Sequence, residues 1–323
     1  MSDVITRDVD PDGVACVVDD QRHTFGALRH RSAALALALR EAGVGPGDRA
    51  VIQLRNSVEL LVSLLGCWRL GVIAVPVLPL FREHELTSVM RQTSPTAVIA
   101  AHGDEKSRLC TAEMDAALEA AGVAPRVRYR TGPAAGTWSG FPGDTAGSDA
   151  DTAALPGFAA PDACTLVLFT SGTTAEPKGV RHDSRSLLAE VNSYRRSAAL
   201  CGDDVIFNPA PIAHVGALVV SVLVPFSVGC PVVLQSRWDP AGAAGLISRE
   251  KVTFAVGAPV FLNELVQQYE SVDYRGHRLV KFQTGAAPAA TAMLTRAASA
   301  GIVAWRAWGM TEAPTISYGC VDD

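Results

Sequence analysis

Short apolar runs alternate with longer amphipathic stretches along almost the whole chain, and this rhythm restricts the fold more than any other feature. The apolar runs have the length of buried strands. The stretches between them have the length and period of helices with one covered face. Thr24 can N-cap a helix from residue 25 to about 42, with Gly43 as its stop. Ser57 can cap a second over 58–70, followed by Gly71. Strands are predicted over 72–77, 97–100 and 127–129, with helices near 82–92 and 114–121 between them. The second half continues with strands near 166–169, 205–207, 232–234, 254–256, 280–282 and 302–304, and with helices that include 184–200 and 259–269. Such a β-α alternation predicts an α/β fold, with helices packed on mostly parallel β-sheets.

At 323 residues the chain is long enough for two domains or subdomains. From 131 to 162 the composition turns to Gly, Pro, Ala, Ser, Thr and Asp, which reads as a loop or linker. The expected division is therefore an α/β subdomain over 1–160, ending in that linker, and a second α/β subdomain over 161–323.

Hydrophobic residues make up 48% of the chain and charged residues 19%, so it holds material for a large core and is not a disordered protein. Lys+Arg 28 against Asp+Glu 33 gives a net charge of −5, which argues against a nucleic-acid or anionic-membrane partner. The seven cysteines are scattered and never spaced C-x-x-C, so neither a disulfide framework nor a structural zinc site is expected. Residues 1–10 are polar and acidic, unlike a signal peptide, and the expected compartment is the cytoplasm. The stretch 212–234 has no charged residue apart from His214 and is long enough for a bilayer, but Gly216, Pro225, Gly229 and Pro231 interrupt it. It reads instead as a buried helix over 215–228, kinked or ended by Pro225, followed by a short strand.

The densest chemistry lies at residues 165–180, Thr-Leu-Val-Leu-Phe-Thr-Ser-Gly-Thr-Thr-Ala-Glu-Pro-Lys-Gly-Val. A buried strand leads into a loop with Thr170, Ser171, Gly172, Thr173 and Thr174. Lys178 and Gly179 follow, and then a helix for which Ser184 is the expected cap. Hydroxyls, open backbone N–H groups and one ammonium are the groups that hold a polyphosphate, and glycine lets the backbone approach the anion. The order is not that of G-x-x-x-x-G-K-[ST], because the lysine precedes the last glycine. A plain polar turn would also fit a short match. The match here runs from Thr170 to Gly179 and uses one of only four lysines in the chain, Lys106, Lys178, Lys251 and Lys281.

The block T-S-G-T-T-x-x-P-K-G resembles the signature loop of the AMP-forming, adenylate-forming superfamily, which includes acyl-CoA synthetases, adenylation domains of peptide synthetases and luciferases. Three further blocks agree, in the family's order. Pro211-Ile-Ala-His-Val-Gly216 resembles the segment that opens a core helix and lines the acyl pocket. Gln283-Thr-Gly-Ala-Ala-Pro288 resembles the turn that packs on adenine, and Ala307-Trp-Gly-Met-Thr-Glu-Ala313 resembles the Y-G-x-T-E block. A weaker likeness, to medium-chain and cyclic-acid CoA ligases, lies at 76–86.

The resemblance implies the large N-terminal domain of an adenylate-forming enzyme, an acid–thiol ligase using ATP, Mg²⁺ and coenzyme A. It implies nucleotide contacts at Thr170, Ser171, Gly172, Thr173, Thr174 and Lys178. It implies further ones at Gly285, Ala286, Ala287, Pro288, Trp308, Gly309 and Thr311. Trp308 would stack on adenine, Thr311 would meet the α-phosphate and Glu312 would help hold Mg²⁺. Lys178, Thr311, Glu312 and His214 are the implied catalytic set. Taken singly, His214 has an equally ordinary reading as a core histidine at the head of an apolar helix. A modest, mainly apolar acid pocket is expected around His214, Val215, Gly216, Phe261 and the loop 257–259.

Trp308 stands where the family has tyrosine, and Ala175 where glycine is frequent. Family members continue into a small C-terminal lid domain with a late lysine, and no lysine follows Lys281 here. The expectation is an N-terminal part without that lid, weakly active alone, which activates a small-molecule acid. Alternative readings change the chemistry: an unusual oxyanion such as nitrite as substrate, a carrier protein as acceptor, or a non-catalytic nucleotide-binding remnant. The sequence assigns no oligomeric state.

Overall fold

The computed structural model describes residues 9–103, 111–144, 160–170, 176–271 and 278–319. Their contacts form two compact units. One spans Gly26–Ser186, and the other joins the described residues up to Phe25 with those from Leu187 onward. The composition of 131–162 had pointed to a division at 160/161. Composition marks where loops run, whereas the contacts follow the sheets, and the strand after the loop completes the first unit's sheet.

Strands β1 (Val14–Val18) and β2 (Gln21–Thr24) pair with each other antiparallel and belong to the second unit. The first unit is built on β3 (Arg49–Gln53), β4 (Ile73–Pro76), β5 (Ala97–Ala100), β6 (Val127–Arg130), β7 (Ser139–Gly140), β8 (Cys164–Thr170) and β9 (Lys178–Asp183). Their order is β7-β6-β5-β3-β4-β8-β9, parallel throughout except for the antiparallel pair β8–β9. Valine, alanine and isoleucine fill β3, β4 and β5, as strands covered on both faces require. The helix Val58–Arg69 starts where expected, with the Ser57 side chain accepting from the Leu60 amide at 3.2 Å. It lies close on Phe25–Glu41, because a Cβ added at Gly66 would come within 3.0 Å of the Ser32 carbonyl oxygen.

Two expectations are corrected in this unit. Residues 131–144 are not a simple linker: β7 extends the sheet beside β6, and Trp138 and Phe141 are buried. The Trp138 indole N–H donates to both carboxylate oxygens of Asp115, at 3.1 and 3.0 Å. The two buried aromatic side chains, with the β6–β7 pairing, hold this Gly/Pro-rich stretch on the core. The rest of that stretch, 145–159, lies outside the described residues. Second, the residues between the hydroxyl-rich block and the helix form a strand, and Ser184 does not cap that helix. Lys178 opens β9, which runs antiparallel to β8. Ser184 is the first residue of its helix rather than the cap, and the Asp183 carboxylate accepts from the Ser186 amide at 2.7 Å.

The second unit adds β10 (Ile206–Asn208), β11 (Val232–Leu234), β12 (Phe254–Gly257), β13 (Lys281–Thr284), β14 (Val303–Met310) and β15 (Ala313–Tyr318), in the order β15-β14-β13-β12-β10-β11-β1-β2. From β14 to β1 every neighbour is parallel. β11 lies on one side of β10 and β12 on the other, so the strand order reverses at β10. Ligands of open α/β sheets bind beyond the carboxyl ends of the strands at such a switch point.

The uncharged stretch after β10 is helical from Val215 to Val228, in three consecutive segments, Val215–Leu218, a π-turn at Val219–Leu223 and Val224–Val228. Pro225 does not end the helix. The π-turn before it takes up the hydrogen-bond register that a proline disrupts, and Gly229, at φ 78°, terminates the helix four residues later. No helix among the described residues is long and apolar enough to cross a membrane.

Candidate functional site

A pocket of about 440 Å³ opens at the switch point, and all of its walls belong to the second unit. This is the size of a small-molecule site. Six stretches supply it: the helix Ser184–Ser197 through Tyr194, the turn after β10, the ends of β12, β13 and β14, and the start of β15.

Asn208, at the carboxyl end of β10, organises the first wall. Its amide donates to the Ala210 carbonyl at 2.9 Å and to Ser221 Oγ in the π-turn at 2.8 Å, and its Oδ1 accepts from the Ala210 amide at 3.0 Å. This fully bonded buried amide ties the strand end to the helix and so fixes Pro211 to Gly216 between them. His214 is the N-cap residue of the helix, with an extended backbone, and its ring is open to the pocket. The protein walls around the ring lower its pKa through desolvation, which favours neutral imidazole.

Gly285 sits where backbone approaches backbone. Its amide donates to the Gly257 carbonyl at 3.2 Å, and a Cβ would lie 3.0 Å from the Ala307 oxygen. Ala286 follows in the left-handed region, at φ 65°. The sequence-expected strand at 302–304 runs on to Met310, and β14 and β15 form a hairpin whose two-residue turn is Thr311–Glu312. The ladder shifts register between Trp308 and Met310, and at that bulge a Cβ on Gly309 would overlap the Pro314 carbonyl oxygen. Bulges of this kind re-aim side chains. Trp308 is 62% exposed at the pocket, whereas Trp305, three residues earlier, is buried on Phe254 and donates to Gln283 Oε1 at 3.3 Å.

Of the residues expected from the sequence, His214, Gly285, Ala286, Trp308, Gly309 and Thr311 line this one pocket. Ala287, Pro288 and Glu312 are exposed and do not line it. Of the expected acid-pocket residues, Val215, Gly216, Gly257, Ala258 and Phe261 line it too. Thr170 and Lys178 belong to the first unit, where they face each other as the last pair of the β8–β9 ladder. Ser171, Gly172, Thr173 and Thr174 lie outside the described residues. The approach to β9 is held by the Gln92 amide, which donates to the Pro177 carbonyl at 2.7 Å. Gly179 lies opposite Phe169, whose ring would be 3.2 Å from a Cβ at that position.

Sequence reading missed Tyr194 and Thr315 in the pocket wall and Glu190 behind them. One signal was available. On the helix Ser184–Ser197 the buried positions recur as Leu187, Glu190, Val191 and Tyr194, and a glutamate in that stripe is out of place. The thiols of Cys67 and Cys230 are buried, and burial pushes both up to about 12, so they are not nucleophiles.

A cleft at the switch point of a parallel sheet, rimmed by a tryptophan, an imidazole and a hydroxyl, marks an α/β protein with a pocket of small-ligand size. The comparisons make this specific: the chain matches the model of the AMP-binding enzyme family over residues 6–323 and belongs to that family. It is 28% identical to a medium-chain fatty-acid–CoA ligase of Escherichia coli over 320 residues, covering 97% of this chain and 55% of the relative. It is 30% identical to a feruloyl-CoA synthase of an Amycolatopsis species over 292 residues, covering 90% and 54%. The chain thus spans about half the length of the curated relatives it matches. In fold it is similar to a luciferase-like enzyme from the mealworm Zophobas morio, with TM-score 0.84, 19% identity, and coverage of 95% of this chain and 71% of that one. It is equally similar to a benzoate CoA ligase from Burkholderia xenovorans, with TM-score 0.84, 21% identity, and coverage of 98% and 62%.

Proposed function

We propose that this chain forms an acyl-adenylate from a small carboxylic acid and MgATP and passes the acyl group to a thiol, coenzyme A. One observation carries the reading. Three sequence blocks, at 211–216, 285–286 and 307–311, line a single pocket of about 440 Å³ at the sheet's switch point.

In the first step a carboxylate oxygen attacks the α-phosphorus, a P–O bond forms and pyrophosphate leaves. In the second the thiol sulfur attacks the acyl carbon and AMP leaves. The protein's contribution is positioning and charge neutralisation. Trp308 offers a flat, exposed face for the purine, Thr311 a hydroxyl for the α-phosphate, and Lys178 with Thr170, Ser171, Thr173 and Thr174 donors for the outer phosphates. Neutral His214 stands beside the acid without adding a charge that would compete for its carboxylate. The pocket between Val215, Val256 and Phe261 takes the acyl portion.

Among the described residues no group of three His, Cys, Asp or Glu could hold a metal by itself. Glu312, a single exposed carboxylate on a turn, fits Mg²⁺ carried by the nucleotide, which needs only one or two carboxylates beyond phosphate and water. Such an ion would supply positive charge to the phosphates.

Calorimetric titration with ATP and AMP, followed by acid-dependent ATP–pyrophosphate exchange, tests the proposal. Saturable binding of both nucleotides is expected, with only weak exchange with a small acid by this chain alone. Exchange that needs nitrite with an aryl amine would move the reading to the oxyanion, and acylation of a carrier protein but not coenzyme A would change the acceptor. Binding without exchange would leave a nucleotide-binding chain, and no binding of either nucleotide would overturn the proposal.

A further inference from the structure

One polar part of the pocket wall joins the helix Ser184–Ser197 to β15. Glu190 and Tyr194, one helical turn apart, are both buried, and Thr315 reaches them from β15. The Thr315 hydroxyl donates to Glu190 Oε1 and also interacts with the Tyr194 phenol. Tyr194 and Thr315 line the pocket. The phenol oxygen faces Gly216, because a Cβ added there would lie 3.2 Å from it.

A carboxylate in such a place is expensive to bury and weakens the core unless it is used. Burial raises its pKa, opposed by the bond from Thr315, and burial followed by the nearby Glu190 charge raises that of Tyr194. The phenol therefore keeps its proton. With the Thr315 proton on Glu190, the Thr315 oxygen can accept from the phenol. The unshared electron pairs of the phenol oxygen are left for the pocket, with a carboxyl group behind them.

We propose that Glu190, Thr315 and Tyr194 form an acceptor end of the acid pocket and select a carboxylic acid that carries a hydrogen-bond donor, a hydroxyl or an ammonium, away from its carboxyl group. The proposal rests on the pocket being the acid site. A plain hydrocarbon acid would leave the phenol oxygen, whose bond to Thr315 leaves acceptor capacity facing the pocket, against hydrocarbon, and a site that commits a buried polar group in this way disfavours an analogue that lacks the donor. Glycine at 216 keeps the phenol accessible.

The test is binding of matched acids to the full chain in the presence of AMP. The probes are hexanoate with its terminal hydroxy and amino analogues, and benzoate with its hydroxy and aminomethyl analogues. A donor-bearing acid in at least one series should bind roughly 10- to 100-fold more tightly than its plain parent. Glu190→Gln, which keeps the shape, should reduce the ratio for the ammonium acids to a few-fold. Thr315→Val, which breaks the relay at its centre, should reduce it for the hydroxy acids as well. A purely structural network would change the melting temperature of these variants but not the ratio. Plain acids that bind as tightly as every donor analogue, or ratios unchanged in both variants, would overturn the selection while leaving the acid site standing. If no acid of either series binds while AMP does, the acid-site reading itself fails and takes this inference with it.

Discussion

Replacing Gly309 by alanine tests whether the β14–β15 hairpin is the rigid support of the pocket. The new Cβ would overlap the Pro314 carbonyl oxygen, lie 2.5 Å from the carbon of that carbonyl, and lie 3.0 Å from the Ala313 oxygen. Carbon atoms in contact sit at ~3.5 Å or more, so the strands must part by roughly 1 Å. The obstacle is backbone, not the end of a flexible side chain, and it adjoins the Met310–Ala313 pair that closes the turn. Overpacking costs ~1–3 kcal/mol, and a backbone obstacle puts this case near the upper value. A loss of about 3 kcal/mol corresponds to a fall of roughly 6–12 °C in a unit of this size. Trp308, Thr311 and Thr315 ride on the same hairpin, so ATP affinity should fall at least about tenfold. Gly245 provides the control: it lies within the helix Pro240–Arg249, with nothing within 4 Å of an added Cβ. Gly245→Ala should raise stability by ~0.5–1 kcal/mol and leave ATP binding unchanged. Calorimetric melting and ATP titration of both variants decide the matter. A Gly309→Ala protein that melts within a degree of the parent and binds ATP equally well would refute the reasoning.

Three further outcomes are expected. Lys178→Met should weaken ATP by roughly 10- to 100-fold and AMP hardly at all, because the ammonium is assigned to the outer phosphates; equal losses for both nucleotides would remove that assignment. Ala286 sits at φ 65°, where an L-residue is strained by ~1–2 kcal/mol, so Ala286→Gly should stabilise the chain by a net of about 0.5–1 kcal/mol in urea unfolding, even after the extra unfolded-state entropy of glycine. For His214 the folded-state pKa is lowered by desolvation from its ordinary 6.5. The unfolded chain therefore binds more protons there, and stability is lost as pH falls through about that value. His214→Gln should lose less stability than the parent between about pH 8 and pH 5.5, and identical urea midpoints over that range would contradict the placement of the ring.

The β-α rhythm was readable because burial on both faces forces valine- and alanine-rich strands, and because Ser57 and Gly43 punctuate the helices between them. Several core boundaries, such as 97–100 and 232–234, agree with the structure. The stretches that were misjudged share a cause. Residues 131–144 look like linker by composition, but Trp138 and Phe141 fold them onto the sheet. Lys178 to Asp183 is too polar to be read as a strand, yet β8 supplies a ladder partner for it. Local propensity is a weak prior once a partner strand is available.

At the candidate site, His214, Gly285, Ala286, Trp308, Gly309 and Thr311 were named from contiguous blocks, because each block carries its chemistry within a few residues. Those blocks and the parallel α/β class are what the chain determines by itself, through periodicity and the chemistry of neighbouring side chains. Only tertiary structure decided that β10 is the switch strand, that Thr311 and Glu312 turn a hairpin, and that Glu190, Tyr194 and Thr315 meet at the pocket wall. Glu190 and Thr315 are 125 positions apart, and no local pattern reports a contact that exists only once two strands and a helix have been brought to the same end of a sheet.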